Sequence, residues 1–359
     1  MDHPLPNSPG PYAHHGRRLL HVGGIALSVV LTLALATGAR ADPGAAAGLP
    51  TADVLPVPGT DSLNALANAQ LSGGPRPDGI PAIDDPGFFS SVEDANRFLD
   101  AGDIVFGTVR NGEARAYPQR VLVWHEIVND VVGGEPLAIT YCPLTGTAIG
   151  FKRGSTTFGV SGMLVNSNLV MFDRATGSRW PQVLGRAIEG DHAGNRLEEF
   201  PVIWTTWERW REAYPGTRVL SDRTGFVRNY RRDPYGRYNP IGGYYTSDRT
   251  LFPVRHSDDR LPGKEVVIGA RTPDGAIAFL KDRIRREGTL HGEVGGVNYT
   301  AKYHEPLDTA VIVRNPKRAR VDISDPFDVP DREGQERVNA LDAMWFAWHA
   351  FYPESLLVE

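Results

Sequence analysis

The chain has 359 residues, with 43 acidic against 38 basic side chains and a formal charge of −5, so it has no general electrostatic attraction for nucleic acid or anionic membranes. Its single cysteine, Cys142, rules out an intrachain disulfide framework. With 39 glycines and 28 prolines, the composition favours turns and short strands over long helices.

The N-terminus reads as an export signal. Arg17 and Arg18 form a positive region, Ile25 to Ala36 an apolar run, and Ala39-Arg40-Ala41 an A-x-A cleavage site before Asp42. The apolar run is about a dozen residues, short of the roughly 20 that a membrane span needs. No later stretch reaches that length, so the mature chain is expected to have no membrane span and to reside in the periplasm or outside the cell. Gly16-Arg17-Arg18-Leu19-Leu20 loosely resembles a twin-arginine signal, which leaves that route and ordinary secretory export both open. Removal of residues 1–41 takes away three arginines and one aspartate and moves the formal charge to −7.

Residues 42–75, rich in Ala, Gly, Pro and Asn, read as a poorly ordered leader and linker. The segment 73–89 is dense in turn residues, and 90–99 follows with Ser91 and Asp94 spaced for a helix N-cap. Residues 104–118 spell a β-hairpin turning at Asn111-Gly112. One or two helical turns are expected over 119–127, then strands at 137–142, 147–151, 156–162 and 168–173, and a turn at Ala175-Thr176-Gly177. Trp204, Trp207, Trp210 and Tyr214 recur at three- and four-residue steps, the spacing of one helix face turned to a core. The Tyr- and Arg-rich stretch 226–256 reads as a long ordered connection pinned by buried rings, with a wall of a cleft as its further role.

Laid on itself at an offset of 162 residues, 107–151 aligns with 269–313 without a gap. Gly107 falls on Gly269, Ala116 on Ala278, Val132-Gly133-Gly134 on Val294-Gly295-Gly296, and Tyr141 on Tyr303. At an offset of 138, Trp207, Trp210 and Tyr214-Pro215 fall on Trp345, Trp348 and Tyr352-Pro353. The expected fold is therefore α+β and strand-rich, with two related repeat halves, 76–220 and 221–359, each closed by a Trp-bearing helix.

Known catalytic motifs are approached but not completed. "HEIVN" (125–129) starts like the metalloprotease H-E-x-x-H, but Asn129 stands where the second His is required. "GVSGM" (159–163) resembles the nucleophile elbow G-x-S-x-G, with Met163 in place of the last Gly. C-x-x-C, P-loop and G-x-G-x-x-G fingerprints are missing. What remains is Cys142 with His125, His256 and His304, the last falling on Cys142 in the repeat alignment. A thiolate with imidazoles suits copper or zinc. The same pair also suits a nucleophile and base, with Glu126 or Asp130 orienting His125. Three readings stay open: an exported metal-binding and redox-active protein, a metal-free thiol-dependent hydrolase or transferase, and a binding or structural module with an inert buried Cys142. The expected partner is a small molecule or a metal ion.

The stretches "GGPRPDGIPAIDDPGF", "NGEARAYPQRVLVWHEIVNDVVGGEPLAITYCPLTGTAIGF" and "FGVSGMLVNSNLVMFDRATGSRWPQ" resemble the DUF3179 family of bacterial and archaeal proteins, from about residue 73 to the C-terminus. The resemblance implies that the His125 and Cys142 segments belong to the family pattern. It implies no activity. "YHEPLDTAVIV" (303–313) departs from that pattern, so nothing carries over to His304.

Overall fold

The computed structural model describes residues 49, 51–52, 60–329 and 334–359, so the expected signal peptide lies outside the described residues. About 40% of the chain is strand and 14% helix, in several small sheets, as an α+β composition requires. The described residues belong to one compact unit, Ala45–Glu359.

Strands Ile104–Arg110 and Glu113–Pro118 form the hairpin expected from Asn111-Gly112, whose φ values of 47° and 79° are those of a turn matched to strand twist. This hairpin is the centre of a four-stranded sheet, flanked by Ile203–Thr206 (antiparallel) and Arg218–Val219 (parallel). A second sheet runs Glu199–Phe200, Thr147–Lys152, Glu135–Cys142, Ile127–Val132. A third runs Arg179–Pro181, Asn168–Asp173, Phe158–Val165, Leu71–Ser72.

Further along the chain, Val266–Thr272 and Gly275–Leu280 form another hairpin, flanked by Ala340–Met344 (antiparallel) and Leu356–Val358 (parallel). The fifth sheet runs Glu336–Val338, Thr309–Arg314, Val297–His304, Thr289–Val294. In the first hairpin Gly107 pairs Ala116; in the later one Gly269 pairs Ala278. A Cβ on Gly107 would sit 2.2 Å from the ring of Trp210, and one on Gly269 would sit 2.3 Å from that of Trp348. Only glycine lets an indole pack this close to the backbone.

Two expectations change. Residues 60–75 are not all linker: Ser62 caps a helix, Leu63–Asn68, that buries Leu66, and Leu71–Ser72 adds a strand to the third sheet. One buried leucine and one cap were too little apolar periodicity to read. The Trp stripe is also split. Trp207 and Trp210 lie in the helix Trp207–Ala213 and are fully buried, but Trp204 sits on the preceding strand and is half-buried. Backbone pairing of Ile203–Thr206 with the hairpin outcompetes one more helical turn. The second Trp helix, Trp345–Phe351, buries every residue. Ser91 caps as expected, but its helix is short, Val92–Ala95.

Candidate functional site

Strand Glu135–Cys142 ends at the thiol inside the core. The Cys142 Sγ accepts from the Leu169 amide at 3.4 Å and donates to the Ser167 carbonyl at 3.9 Å. Asn166 and Ser167 form a tight turn with φ of 53° and 60°. Asn166 donates to the Ala350 carbonyl at 2.9 Å and accepts from the Arg255 amide at 3.0 Å, and the Ser167 hydroxyl donates to the Phe252 carbonyl at 2.6 Å. The turn thus ties the thiol's surroundings to the second Trp helix and to the connection at 226–256. Beneath it lies a closed amide–hydroxyl network. Gln182 accepts from Thr147 at 2.7 Å and donates to Thr140 at 2.9 Å, and Asn168 donates to Thr145 and Gln182, each at 3.0 Å. Burial, and then the charge of Glu126, push the Cys142 thiol up to about 11. At neutral pH it is a protonated thiol, the opposite of an activated nucleophile.

Glu126, like Asn166 and Ser167, is left-handed without being glycine. Its φ is +59°, in the left-handed region that non-glycine residues avoid. Its carbonyl accepts from the Tyr141 amide at 2.7 Å; 162 residues on, the carbonyl of Gly288 (φ +72°) accepts from the Tyr303 amide at 2.9 Å. The backbone here calls for glycine and holds a glutamate. Residue Glu126 is 7% exposed, and among the described residues its carboxyl has no hydrogen-bond partner. Burial alone pushes it up to about 8, so it is mostly protonated at pH 7. Cys142 and Tyr235 both lie close enough for its charge to raise them. Tyr244, whose hydroxyl donates to the Leu144 carbonyl at 2.7 Å, flanks Cys142 and Tyr235.

The expected His125–Cys142 pair is not made. The His125 Nδ1 lies 2.7 Å from the Pro81 carbonyl, which only accepts, so Nδ1 carries the proton. Nε2 then accepts from the Tyr230 hydroxyl at 2.7 Å, and Tyr230 lies 2.5 Å from the Thr224 hydroxyl. Burial holds the imidazole down to about 4, so it is neutral. Because residue 126 is left-handed, the side chains of 125 and 126 diverge, one to the connection and one to the thiol. Neither Glu126 nor Asp130 orients the imidazole; Asp130 accepts from the Tyr117 hydroxyl at 2.7 Å.

The other expected ligands are dispersed as well. His256 pairs with Asp61 at 3.0 Å. His304 ends strand Val297–His304 beside Ser324, Asp325 and Glu305, and burial lowers its pKa. Among the described residues no three His, Cys, Asp or Glu side chains are gathered as a metal site would need. Ser161 donates to the Val170 carbonyl within a strand, not on a nucleophile elbow.

The sequence reading missed Thr145, Asn168, Gln182, Tyr235 and Tyr244. The uncharged residues carry no catalytic motif, and the tyrosines arrive from a distant segment. The 226–256 connection is pinned as expected: Tyr230, Tyr244 and Tyr245 are buried, Tyr238 stacks on Tyr245 at 4.0 Å, and Trp124 donates to the Arg232 carbonyl at 3.0 Å.

No curated protein and no solved structure matches this chain. Residues 77–355 match the family described as "Protein of unknown function (DUF3179)", and that span holds Glu126, Cys142 and the network beneath them. The chain belongs to the DUF3179 family.

Proposed function

We propose that this is an exported protein acting on a small molecule without a metal, with Glu126 as its acid–base group and Cys142 as a neutral thiol beside it. Of the chemistries open to the sequence, a hydrolase or transferase fits best. The observation that carries this reading is Glu126. A left-handed non-glycine residue costs on the order of 1–3 kcal/mol, and such strain clusters at working sites. A buried carboxyl without a hydrogen-bond partner among the described residues adds a desolvation cost, and a carboxyl mostly protonated at neutral pH is a ready general acid. His125, with both ring nitrogens engaged, serves as a pin for the connection rather than as a base.

Export is part of the proposal and is supported by the features of residues 1–41; the mature N-terminus should sequence as Asp42. The reading of 76–220 and 221–359 as related halves is likewise proposed. It is supported by the matching sheet orders and by the paired Gly–Trp contacts.

The central test is an infrared titration of carboxyl groups in the purified mature protein and in Glu126→Gln, with elemental analysis of the same samples. The expected result is a carboxyl that loses its proton near pH 8 and is missing from Glu126→Gln, with no stoichiometric copper or zinc. A Glu126 that ionises in the ordinary carboxylate range, or one equivalent of metal released by Cys142→Ser, overturns the reading.

A further inference from the structure

Two clefts flank the 226–256 connection, and their linings correspond across the 162-residue offset. One, of about 350 Å³, includes Asp103, Ile104, Gln119 and Arg120. The other, of about 330 Å³, includes Glu265, Val266, Lys281 and Asp282. In the first, Arg120 pairs with Asp103 at 2.5 Å, and the Asn239 amide fills the space where a side chain on Gly102 would start. In the second, position 102 is answered by Lys264 and Arg120 by Asp282. That exchange leaves the second cleft with a lysine side chain in its wall.

Lys264 is without a partner there. Among the described residues its Nζ has no hydrogen bond and no ion pair; it rests 3.2 Å from the centroid of the Tyr244 ring and 4.7 Å from that of Phe346. The other cations of the lining are paired: Lys281 with Asp342 at 2.5 Å, and Arg285 with Asp308 at 2.9 Å. Trp204, Tyr238, Tyr245 and Met344 give the cleft an apolar wall. Burial pushes the Lys264 amine down to about 7, so a large share of it is unprotonated at neutral pH. Lys264 lines the cleft, and its Nζ is held against those ring faces by no hydrogen bond or ion pair among the described residues.

We propose that Lys264 is a carbonyl-capturing amine, which condenses with an aldehyde or ketone seated against the Trp204–Tyr245 wall to give an imine. The amine lone pair forms the C–N bond and the carbonyl π pair moves to oxygen, which takes a proton. The nitrogen then loses one proton and the hydroxyl gains one; the nitrogen lone pair forms the C=N bond as the C–O bond breaks and water leaves to the open cleft, and the iminium gives up its remaining N–H proton to solvent. No oxidant or reductant is consumed. This site is independent of Glu126 and goes beyond the acid–base reading.

The test treats the full mature protein with benzaldehyde or with pyruvate at neutral pH, reduces with borohydride, and maps adducts on the five lysines, Lys152, Lys264, Lys281, Lys302 and Lys317. Lys264 should be labelled about tenfold or more faster than Lys302 and Lys317, because burial holds its amine towards the unprotonated, nucleophilic form. Lys264→Met should lose that adduct while keeping the wild-type circular dichroism, and Glu126→Gln should retain it. Preference for benzaldehyde indicates a neutral carbonyl ligand, and preference for pyruvate a 2-oxo acid. Labelling of Lys264 no faster than that of Lys302 and Lys317 with both probes overturns the proposal.

Discussion

His125 and Glu126 are adjacent in the chain, yet burial acts on them in opposite senses. The folded state holds Glu126 near 8 against an ordinary 4.5, so the unfolded chain releases that proton first. Its carboxyl therefore costs no stability below about pH 4.5; the cost grows as pH rises to about 8 and then levels, reaching up to about 5 kcal/mol. His125, held near 4 against 6.5, does the reverse, and its share of stability is lost as pH falls from 6.5 towards 4. Urea melts of the wild type and of Glu126→Gln at about pH 5 and about pH 9 separate the two contributions. The variant should gain relative stability at the alkaline end, and equal differences at both pH values would remove the buried-acid account. Glu126→Gly should stabilise at every pH by about 1 kcal/mol or more, through relief of left-handed strain. His125 and Cys142 stood out in the sequence by residue type. The importance of Glu126 rests on its φ, its burial and the lack of a hydrogen-bond partner for its carboxyl among the described residues, which no local pattern encodes.

Each Trp helix packs on a hairpin through a glycine that leaves room for its second indole. The recurrence of Gly107 and Gly269, and of the Trp-x-x-Trp pairs, was visible in the sequence, but the contact between them was not. A methyl at either glycine meets indole carbons at 2.2–2.6 Å and forces the helix away from the sheet. Gly107→Ala and Gly269→Ala should each destabilise by about 1–3 kcal/mol, which in a chain of this size lowers the melting temperature by a few degrees. Calorimetry checks this, and wild-type melting in either variant would mean that the packing relaxes freely. Trp204 shows where periodicity misleads. It fits the helical spacing, yet hydrogen bonding to the hairpin keeps it in a strand, where its ring packs edge-on against buried Phe106 and Tyr141 and also lines the Lys264 cleft.

The segments before and after the 226–256 connection are joined by a buried ion pair. Arg271, with its side chain 2% exposed, pairs with Glu199, 6% exposed, and donates to the Val183 carbonyl, which also accepts from the Tyr352 hydroxyl at 3.1 Å. The Met344 amide adds a bond to the Thr145 carbonyl at 3.1 Å, beside the network under Cys142. Glu199→Gln leaves the guanidinium buried without its counter-charge and should cost about 3–5 kcal/mol. Chemical denaturation measures it. A loss under about 1 kcal/mol would mean that Arg271 finds water or another acceptor.

Local pattern accounts for what the sequence established: the hairpin at Asn111-Gly112, the buried strand ending at Cys142, the strand-rich class and the family all rest on short-range signals. Side-chain alternation, turn chemistry and motif wording are properties of neighbouring residues, so they survive without a structure. The candidate site is a property of convergence. Glu126, Cys142, Asn168, Gln182, Tyr235 and Tyr244 come from segments spread over more than a hundred residues of the chain. The imidazole expected at the thiol turns instead to Pro81 and Tyr230. Only the tertiary structure decides which buried groups find partners. Here it satisfies His125 and Cys142 and leaves the carboxyl of Glu126 and the amine of Lys264 without hydrogen bonds among the described residues. Burial shifts a proton equilibrium most where no neighbour compensates it, and for these two side chains the shift brings the equilibrium near neutral pH.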